Sequence, residues 1–427
     1  MTALALPDKA LASAVRDLPD NALASNREAA LARFLERGFP TTRLEDWKYT
    51  DLTAVADISQ RWLENGAQAP SAAAIDERIA EIRSAIDIEW IVVRNGTITG
   101  AHDAAAGEGL SVSTLSEVAH APGFDHPLAD LNAALLSDGL HIRVAANTTH
   151  ERPLGLLVVD GADSQPGVAQ ARIKIELEEG AQAQFVEYHT SIGDSDHYAN
   201  SVVELSLAAG AVADYVRIQG RDRNHTQTHR TAILLEASST VRYSGFDLGG
   251  RLIRNDLDID IAGKEATALV SGLYIADDGQ HIDNHIRIDH RVGPARSAQE
   301  YRGILGGRCR CVWNGKALVQ AGADGTDAEQ SNHNLLLSDR AEIDAKPELE
   351  IYADEVKCSH GTTVGQLDEA ALFYLRSRGL DRQEATRALT RAFGASIVSH
   401  SPIAIAAEHL SEVVEQRLSR LTDGEQA

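Results

Sequence analysis

ARIKIELEEGAQAQFVEYHTSIGDSDHYANSVVELSLAAGAVADYVRIQG, residues 171–220, decides the fold. Apolar and polar residues alternate along it, so one face of each run is apolar and the other polar, which is the period of a strand. Small residues or glycine interrupt the runs. Outward from this stretch the same texture continues as HIRVAAN, PLGLLVVD, TAILLEA, TVRYSGFDLGG, LDIDIAG and ALVSGLYI, with no helical period. The corners fall near Gly180, Gly210, Ser238 and Gly263, about 25–30 residues apart, a spacing that signals a repeat architecture. A single coil of this kind cannot bury its own apolar face, so coils must stack. Propeller blades run to about 40 residues or more, and a sandwich has no such repeat. The expectation is a β-solenoid over about 140–365.

Helical periodicity flanks this region. Residues 22–35 (ALASNREAALARFL) place Leu23, Ala30, Leu31, Phe34 and Leu35 on one stripe, ended by Gly38 and Pro40. FPTTRLEDWKYTDL (39–52) is aromatic and aperiodic, an ordered loop in which Trp47 and Tyr49 are packing anchors. Pro70 and its small neighbours mark a linker. ERIAEIRSAI (77–86) is a short helix, WIVVRNGTITG (90–100) a hairpin about Asn95-Gly96, and 107–138 turns followed by a helical HPLADLNAALL. From Asp368 the period returns to that of helices. One of these opens on Asp381 with Glu384 three residues later, close to a capping box. Its stripe is Ala385, Ala388, Leu389, Ala392 and Phe393. The last helix carries Leu410, Val413, Val414, Leu418 and Leu421. These short amphipathic helices form a small bundle that caps the solenoid or offers a face to another protein. The chain divides into a mostly helical part (1–135), the β-solenoid (136–366) and a C-terminal helical part (367–427).

Bulk properties narrow the function. A net charge of −23 argues against nucleic acid, which requires a basic face. Three cysteines (Cys309, Cys311 and Cys358) suit a reducing compartment rather than a disulfide framework. The start of the chain is too polar for a signal peptide, and no apolar run is long enough to span a bilayer. These observations point to the cytoplasm.

Four constellations could carry chemistry. Cys358 and His360 lie two apart in NHNLLLSDRAEIDAKPELEIYADEVKCSHG (332–361). In a strand both leave one face, and a thiolate beside an imidazole can hold iron or copper. They are also only two ligands. Cys309 and Cys311 alternate likewise and read as small core residues or a thiol pair. In QHIDNHIRIDH (280–290), His281, Asp283, His285, Arg287 and Asp289 share a face opposite Ile282, Ile286 and Ile288. Arg287 would repel a cation there, so a strand with one wet face is the simpler reading. Asp256, Asp258 and Asp260 could form the acid ladder of a β-helix carbohydrate-active enzyme. No nucleophile elbow, phosphate loop or dinucleotide fingerprint is present.

LEDWKYTDL (44–52), GQHIDNHIRIDHRVGPARSAQEYRGIL (279–305), the 332–361 stretch and GQLDEAALFYLRSRGL (365–380) together resemble the SufB/SufD family, on its SufD side. The resemblance implies a right-handed parallel β-helix between helical ends, in a non-enzymatic iron–sulfur assembly scaffold. It implies pairing with SufB through the β-helix and docking of the SufC ATPase on the C-terminal helices; the same β-helix edge could serve a homodimer when SufB is absent, since an uncovered edge tends to pair. It implies a transient, nascent cluster at the SufB junction with no permanently bound cofactor. His360 would be this chain's contributor to that cluster, with Cys358 beside it. Phe373, Tyr374, Arg376, Arg378, Leu389 and Phe393 are the SufC-docking candidates. A SufB-like subunit that itself accepts sulfur on Cys358 or on the Cys309/Cys311 pair is the nearest alternative. Neither nucleic acid nor membrane is expected as a partner.

Overall fold

A computed structural model describes residues 4–66, 69–99, 109–118 and 125–423. The linker around Pro70 and the turns expected over 107–124 lie partly outside these residues. Between Leu140 and Gly365 the chain winds through eight coils of two strands each. Successive strands alternate between two parallel sheets, so each strand pairs with the strands one coil before and one coil after. The first sheet runs from Leu154–Gly161 to Lys357–Gly365, and the second from Leu140–Val144 to Glu342–Ile351.

Equivalent positions stack in columns along the axis. Val203, Thr231, Leu257 and Ile286 follow one another on one wall, as do Ala213, Val241 and Ala268 on the other. The apolar side chains fill the lumen with one continuous core, because every coil covers the inward face of its neighbour. The corners obey a second rule. Gly180, Gly210 and Ser238 have positive φ, and the next member of the series is Glu265 rather than Gly263. Gly263 serves close approach instead: a Cβ there would meet the Ala237 nitrogen at 1.9 Å.

The two ends of the solenoid differ. At the first end the hairpin Glu89–Arg94/Thr97–Thr99 adds to one sheet and Leu110–Thr114 adds antiparallel to the other. The expected hairpin about Asn95-Gly96 is therefore present, inside a part of the chain that is otherwise helical. The helices Asp8–Arg16, Ala24–Arg37, Thr53–Asn65 and Pro127–Leu135 pack there around Phe34, Trp47 and Leu131. In the second of these helices Arg27 is buried and Leu35 is exposed, unlike the expected stripe. Arg27 is drawn in by carbonyl acceptors on Pro19, Leu136 and Ser137.

At the other end the last coil is left half-buried to exposed among the described residues. The C-terminal helices Arg382–Val398 and Ala404–Asp423 lie along the flank of the first sheet, and Glu369–Ser377 packs on Arg382–Val398. Ile397, Leu410, Val414, Leu418 and Leu421 are buried against Leu273, Ile275 and Ile304. The capping box of Asp381 and Glu384 forms as expected. The buried face of that helix is Ala385, Thr390, Gly394 and Ile397, while Ala388 and Ala392 are exposed. Gly394 permits this rotation: a Cβ there would already sit 3.3 Å from Ile304 and 3.8 Å from Leu273.

The polar face of His281–His290 is wet only in part: Arg287 is exposed and His281 and His285 are half-buried. The turn Glu45–Trp47 and Thr50 lie on it, and Asp283 is fully buried. Thr50 Oγ1 contacts His281 Nε2 at 2.8 Å and donates to Asp283. Arg254 donates to Asp283 (2.6 Å), Asp256 (2.7 Å) and the Asp46 carbonyl (2.8 Å), with its guanidinium 4.3 Å from the centre of the Trp47 ring. This knot ties the N-terminal segment to the solenoid. Arg254→Leu would leave two buried carboxylates without their cation and should cost about 3–5 kcal/mol. Arg287→Leu, at a half-exposed pair with Asp289, should cost under about 1 kcal/mol. Urea denaturation of the two variants tests this ranking; equal losses would contradict it.

Candidate functional site: the open end of the solenoid

The last coil consists of Glu342–Ile351 and Lys357–Gly365. Among the described residues each pairs with one neighbour only, Arg310–Val319 and Asp327–Leu336 respectively. Both sheets therefore end in a free edge, with unpaired backbone groups along it. Pro347 fits this position, since a residue without an N–H is confined to edges.

Register identifies which side chains face the lumen. Cys358 continues the column Val241, Ala268, Ser297, Ala328, all buried. His360 continues Tyr243, Val270, Gln299, Gln330, also buried. Cys358 and His360 thus share the inward face of the final strand. There is no ninth coil to cover them, so Cys358 is half-buried and His360 exposed. The facing strand presents Ile343, Ala345, Leu349 and Ile351 inward, continuing the buried Cys311, Trp313, Ala317 and Val319. None of its members is buried. Ile351 and Val364 are 40% and 52% exposed, which leaves core-type side chains at an open surface. A cavity of about 530 Å³ adjoins the edge, lined by Glu300, Glu329, Ser359, His360, Gly361 and His400. His400 Nδ1 lies 3.3 Å from the Glu300 carboxylate across it.

The thiols divide by environment. Cys309 and Cys311 are buried in the lumen core. Desolvation, reinforced by Cys309, holds the Cys311 thiol well above its ordinary range. Burial also raises Cys358, opposed by a backbone hydrogen bond from Ala328. The other candidates are absorbed structurally. Asp256 and Asp283 are held ionised below the usual carboxylate range, down to about 2 for Asp256, by Arg254 against the opposing effect of burial. Asp258 pairs with Arg230 and Asp260 with Arg291, so no free acid ladder lines a groove. His285 lies 3.1 Å from Asp283. On the helical flank Phe373 and Tyr374 are 73% and 57% exposed. Arg376 and Arg378 are exposed beside them, the latter with its guanidinium over the Tyr374 ring. Leu389 is half-buried, and Phe393 is packed under the Arg302 guanidinium.

Two sets of residues escaped the sequence reading. The apolar members of the last coil, Ile343, Leu349, Ile351 and Val364, look like any strand interior until the stacking is known. The inward polar residues Glu187, His189 and His229 are fully buried. The adjacent Glu187 and His189 in FVEYHT, at inward spacing, were the available sign.

Cys358 and His360 thus sit together at the uncovered end of a parallel β-solenoid. Comparison with known proteins identifies the family. Residues 158–393 match the model of the SUF system FeS cluster assembly, SufBD core domain, and residues 11–122 match the SufBD protein N-terminal region. The Iron-sulfur cluster assembly protein SufD of Escherichia coli is 30% identical over 92% of both chains. An Iron-sulfur cluster assembly SufBD family protein of Mycobacterium bovis is 30% identical over 93% of this chain and 94% of its own. SufD of Bacillus subtilis is 26% identical over 69% and 67%. The chain belongs to the SufBD family of iron–sulfur cluster assembly proteins.

Two measurements follow from these environments. In the native protein one of the three thiols, Cys358, should react quickly with a disulfide reagent, and all three in denaturant. Two fast thiols in the native state would contradict the assignment. The second concerns acid. Burial depresses His197 to about 3, His225 to about 2 and His290 to about 4. All three are neutral when folded, whereas the unfolded chain protonates them below about pH 6.5. Their contribution is complete above that pH and is lost as pH falls, at about 1.4 kcal/mol per unit for each down to about pH 4. Urea midpoints should fall steeply between pH 6 and 4, and a flat profile would contradict the burial.

Proposed function

We propose that this chain is the SufD-type scaffold subunit of an iron–sulfur assembly complex, and that it is not itself an enzyme. The supporting observation is the uncovered last coil, where Cys358 and His360 meet two free strand edges and exposed Ile351 and Val364. An exposed edge with apolar neighbours invites another sheet. SufB would supply it, its own β-solenoid covering the coil and adding the ligands that this chain lacks. The nascent cluster is cargo at that junction. His360 offers imidazole nitrogen, and Cys358 offers sulfur once a base or the metal takes its proton. A second copy of the chain would use the same edge when SufB is absent.

SufC would dock on the exposed patch of Phe373, Tyr374, Arg376 and Arg378, with Leu389 and Phe393 behind it. The helix Glu369–Ser377, which bears the aromatic part of this patch, packs on Arg382–Val398, and that helix lies on the sheet that ends in Lys357–Gly365. ATP-driven movement of SufC would therefore act on the sheet carrying the half-site. Three free thiols suit action in the cytoplasm. A SufB-like role, with this chain accepting sulfur itself, has less support, because Cys309 and Cys311 are inaccessible and Cys358 is raised by burial.

Reconstitution with SufB and SufC tests the reading. Ile351→Asp combined with Val364→Asp should weaken SufB pairing by tenfold or more, at least about 1.4 kcal/mol, with an unchanged fold. His360→Ala should leave the complex assembled and reduce cluster yield severalfold. Full cluster formation by the His360→Ala complex would remove His360 from the site, and undiminished pairing by the double variant would move the interface elsewhere.

A further inference from the structure

Inside the solenoid, three coils or more from the open end, Glu187, His189 and His229 converge from opposite walls. Glu187 and His189 lie on Gln182–Ile192, and His229 lies on His225–Leu235 of the other sheet. Their donor atoms all fall within 4.8 Å of one another. His189 Nε2 is 2.8 Å from Glu187 Oε1, and His229 Nε2 is 3.7 Å from Glu187 Oε2. The imidazoles meet edge to face with ring centres 5.1 Å apart. All three side chains are shut off from solvent.

The charges around this trio do not balance. Arg221 pairs with Asp160 and Arg217 with Asp247, both pairs buried. Glu187 has only the Tyr215 hydroxyl and the two histidines, and among the described residues no lysine or arginine forms an ion pair with it. A buried carboxylate without a cation is costly. Two buried atoms beside it also lack a partner, His229 Nδ1 and Asp160 Oδ1. Burial keeps both histidines neutral, the state in which imidazole binds metal.

We propose that Glu187, His189 and His229 form a lumenal binding site for a divalent first-row transition ion. Two imidazoles and one carboxylate are the donor set such ions take, with zinc and ferrous iron both suited. The ion supplies the positive charge that Glu187 lacks. The ligands are the Glu187 carboxylate, His189 Nε2 and His229 Nε2, the last exchanging its 2.9 Å contact with the Thr231 hydroxyl for the ion. Binding through Nε2 places the His189 proton on Nδ1. On that side lies the Asp160 carboxylate, near enough to act on His189 electrostatically and with one unpartnered oxygen, while the Arg221 contact is long at 3.3 Å. Tyr215 holds the carboxylate from behind at 2.8 Å. Since the trio has no path to solvent, the ion loads as the coils close, and its binding energy adds to folding.

The test uses the full chain carrying Cys358→Ala and His360→Ala, which removes the open-end ligands. This protein is refolded from denaturant with Co²⁺ or, separately, Zn²⁺, and then desalted. The expected result is one ion per chain. Co²⁺ should show d–d bands without a thiolate charge-transfer band, and X-ray absorption of the zinc form should report two imidazoles per ion. Adding His229→Gln, or separately Glu187→Gln, should weaken binding by roughly tenfold or more, with circular dichroism confirming the fold. If a variant does not fold, the imidazole count of the parent protein decides. Folded protein that retains no metal, a thiolate band, an ion without imidazole ligands, or unchanged binding in a folded His229→Gln protein would each overturn the site.

Discussion

Everything in this molecule depends on one constraint: an inward side chain of the solenoid is buried only if the next coil covers it. Columns such as Val203, Thr231, Leu257, Ile286 exist because the parallel register repeats from coil to coil. The same rule makes the two ends different. At the first end the hairpin, an antiparallel strand and a helical layer supply the cover. At the last coil none of the described residues does, because Arg382–Val398 and Ala404–Asp423 spend their apolar faces on the flank of the first sheet. Unpaired backbone, apolar side chains and a thiol–imidazole pair are consequently exposed together, and the incomplete site and the incomplete core are one feature.

The lumen is not uniformly apolar, and its polar side is organised by desolvation. Buried guanidiniums at Arg217, Arg221 and Arg254 are matched to carboxylates at hydrogen-bond distance. Such pairs stabilise little in themselves, since desolvation offsets most of their attraction, but removing either partner is expensive. They therefore act as registration points. Arg254 fixes the N-terminal segment to the second sheet, Arg217 fixes adjacent coils of the first, and Arg221 reaches across two coils to Asp160. Glu187 is the carboxylate left over from this matching, and its histidine neighbours make the remainder chemically interesting.

Much of the fold was legible in the sequence, because alternation and corner spacing are local signals. The solenoid, the hairpin at Asn95-Gly96, the capping box at Asp381 and the core placement of Cys309 and Cys311 all followed from period and turn chemistry. What was not legible depends on tertiary partners. The His281–Asp289 face has the alternation of a wetted strand, yet the segment around Trp47, more than two hundred residues away, buries Asp283 on it while Arg287 stays exposed. The stripe of Arg382–Val398 was rotated because Gly394 permits a close approach that side-chain hydropathy does not register. Gly263 looked like a corner, while Glu265 adopts the left-handed conformation. Of the site, the pairing of Cys358 with His360 could be read from their spacing. Its exposure at an uncapped end could not, because the sequence of a last coil resembles that of any other.

The most direct test of the open end is hydrogen exchange of the isolated chain and of its complex with SufB. The account predicts fast-exchanging amides along the outer edges of Glu342–Ile351 and Lys357–Gly365 in the isolated monomer, against strong protection of Val203–Leu207 and Ile253–Ile261. The edge amides should become protected on pairing. Edges already protected in the monomer, or unchanged in the complex, would contradict the claim that the last coil is an unfinished core awaiting its partner.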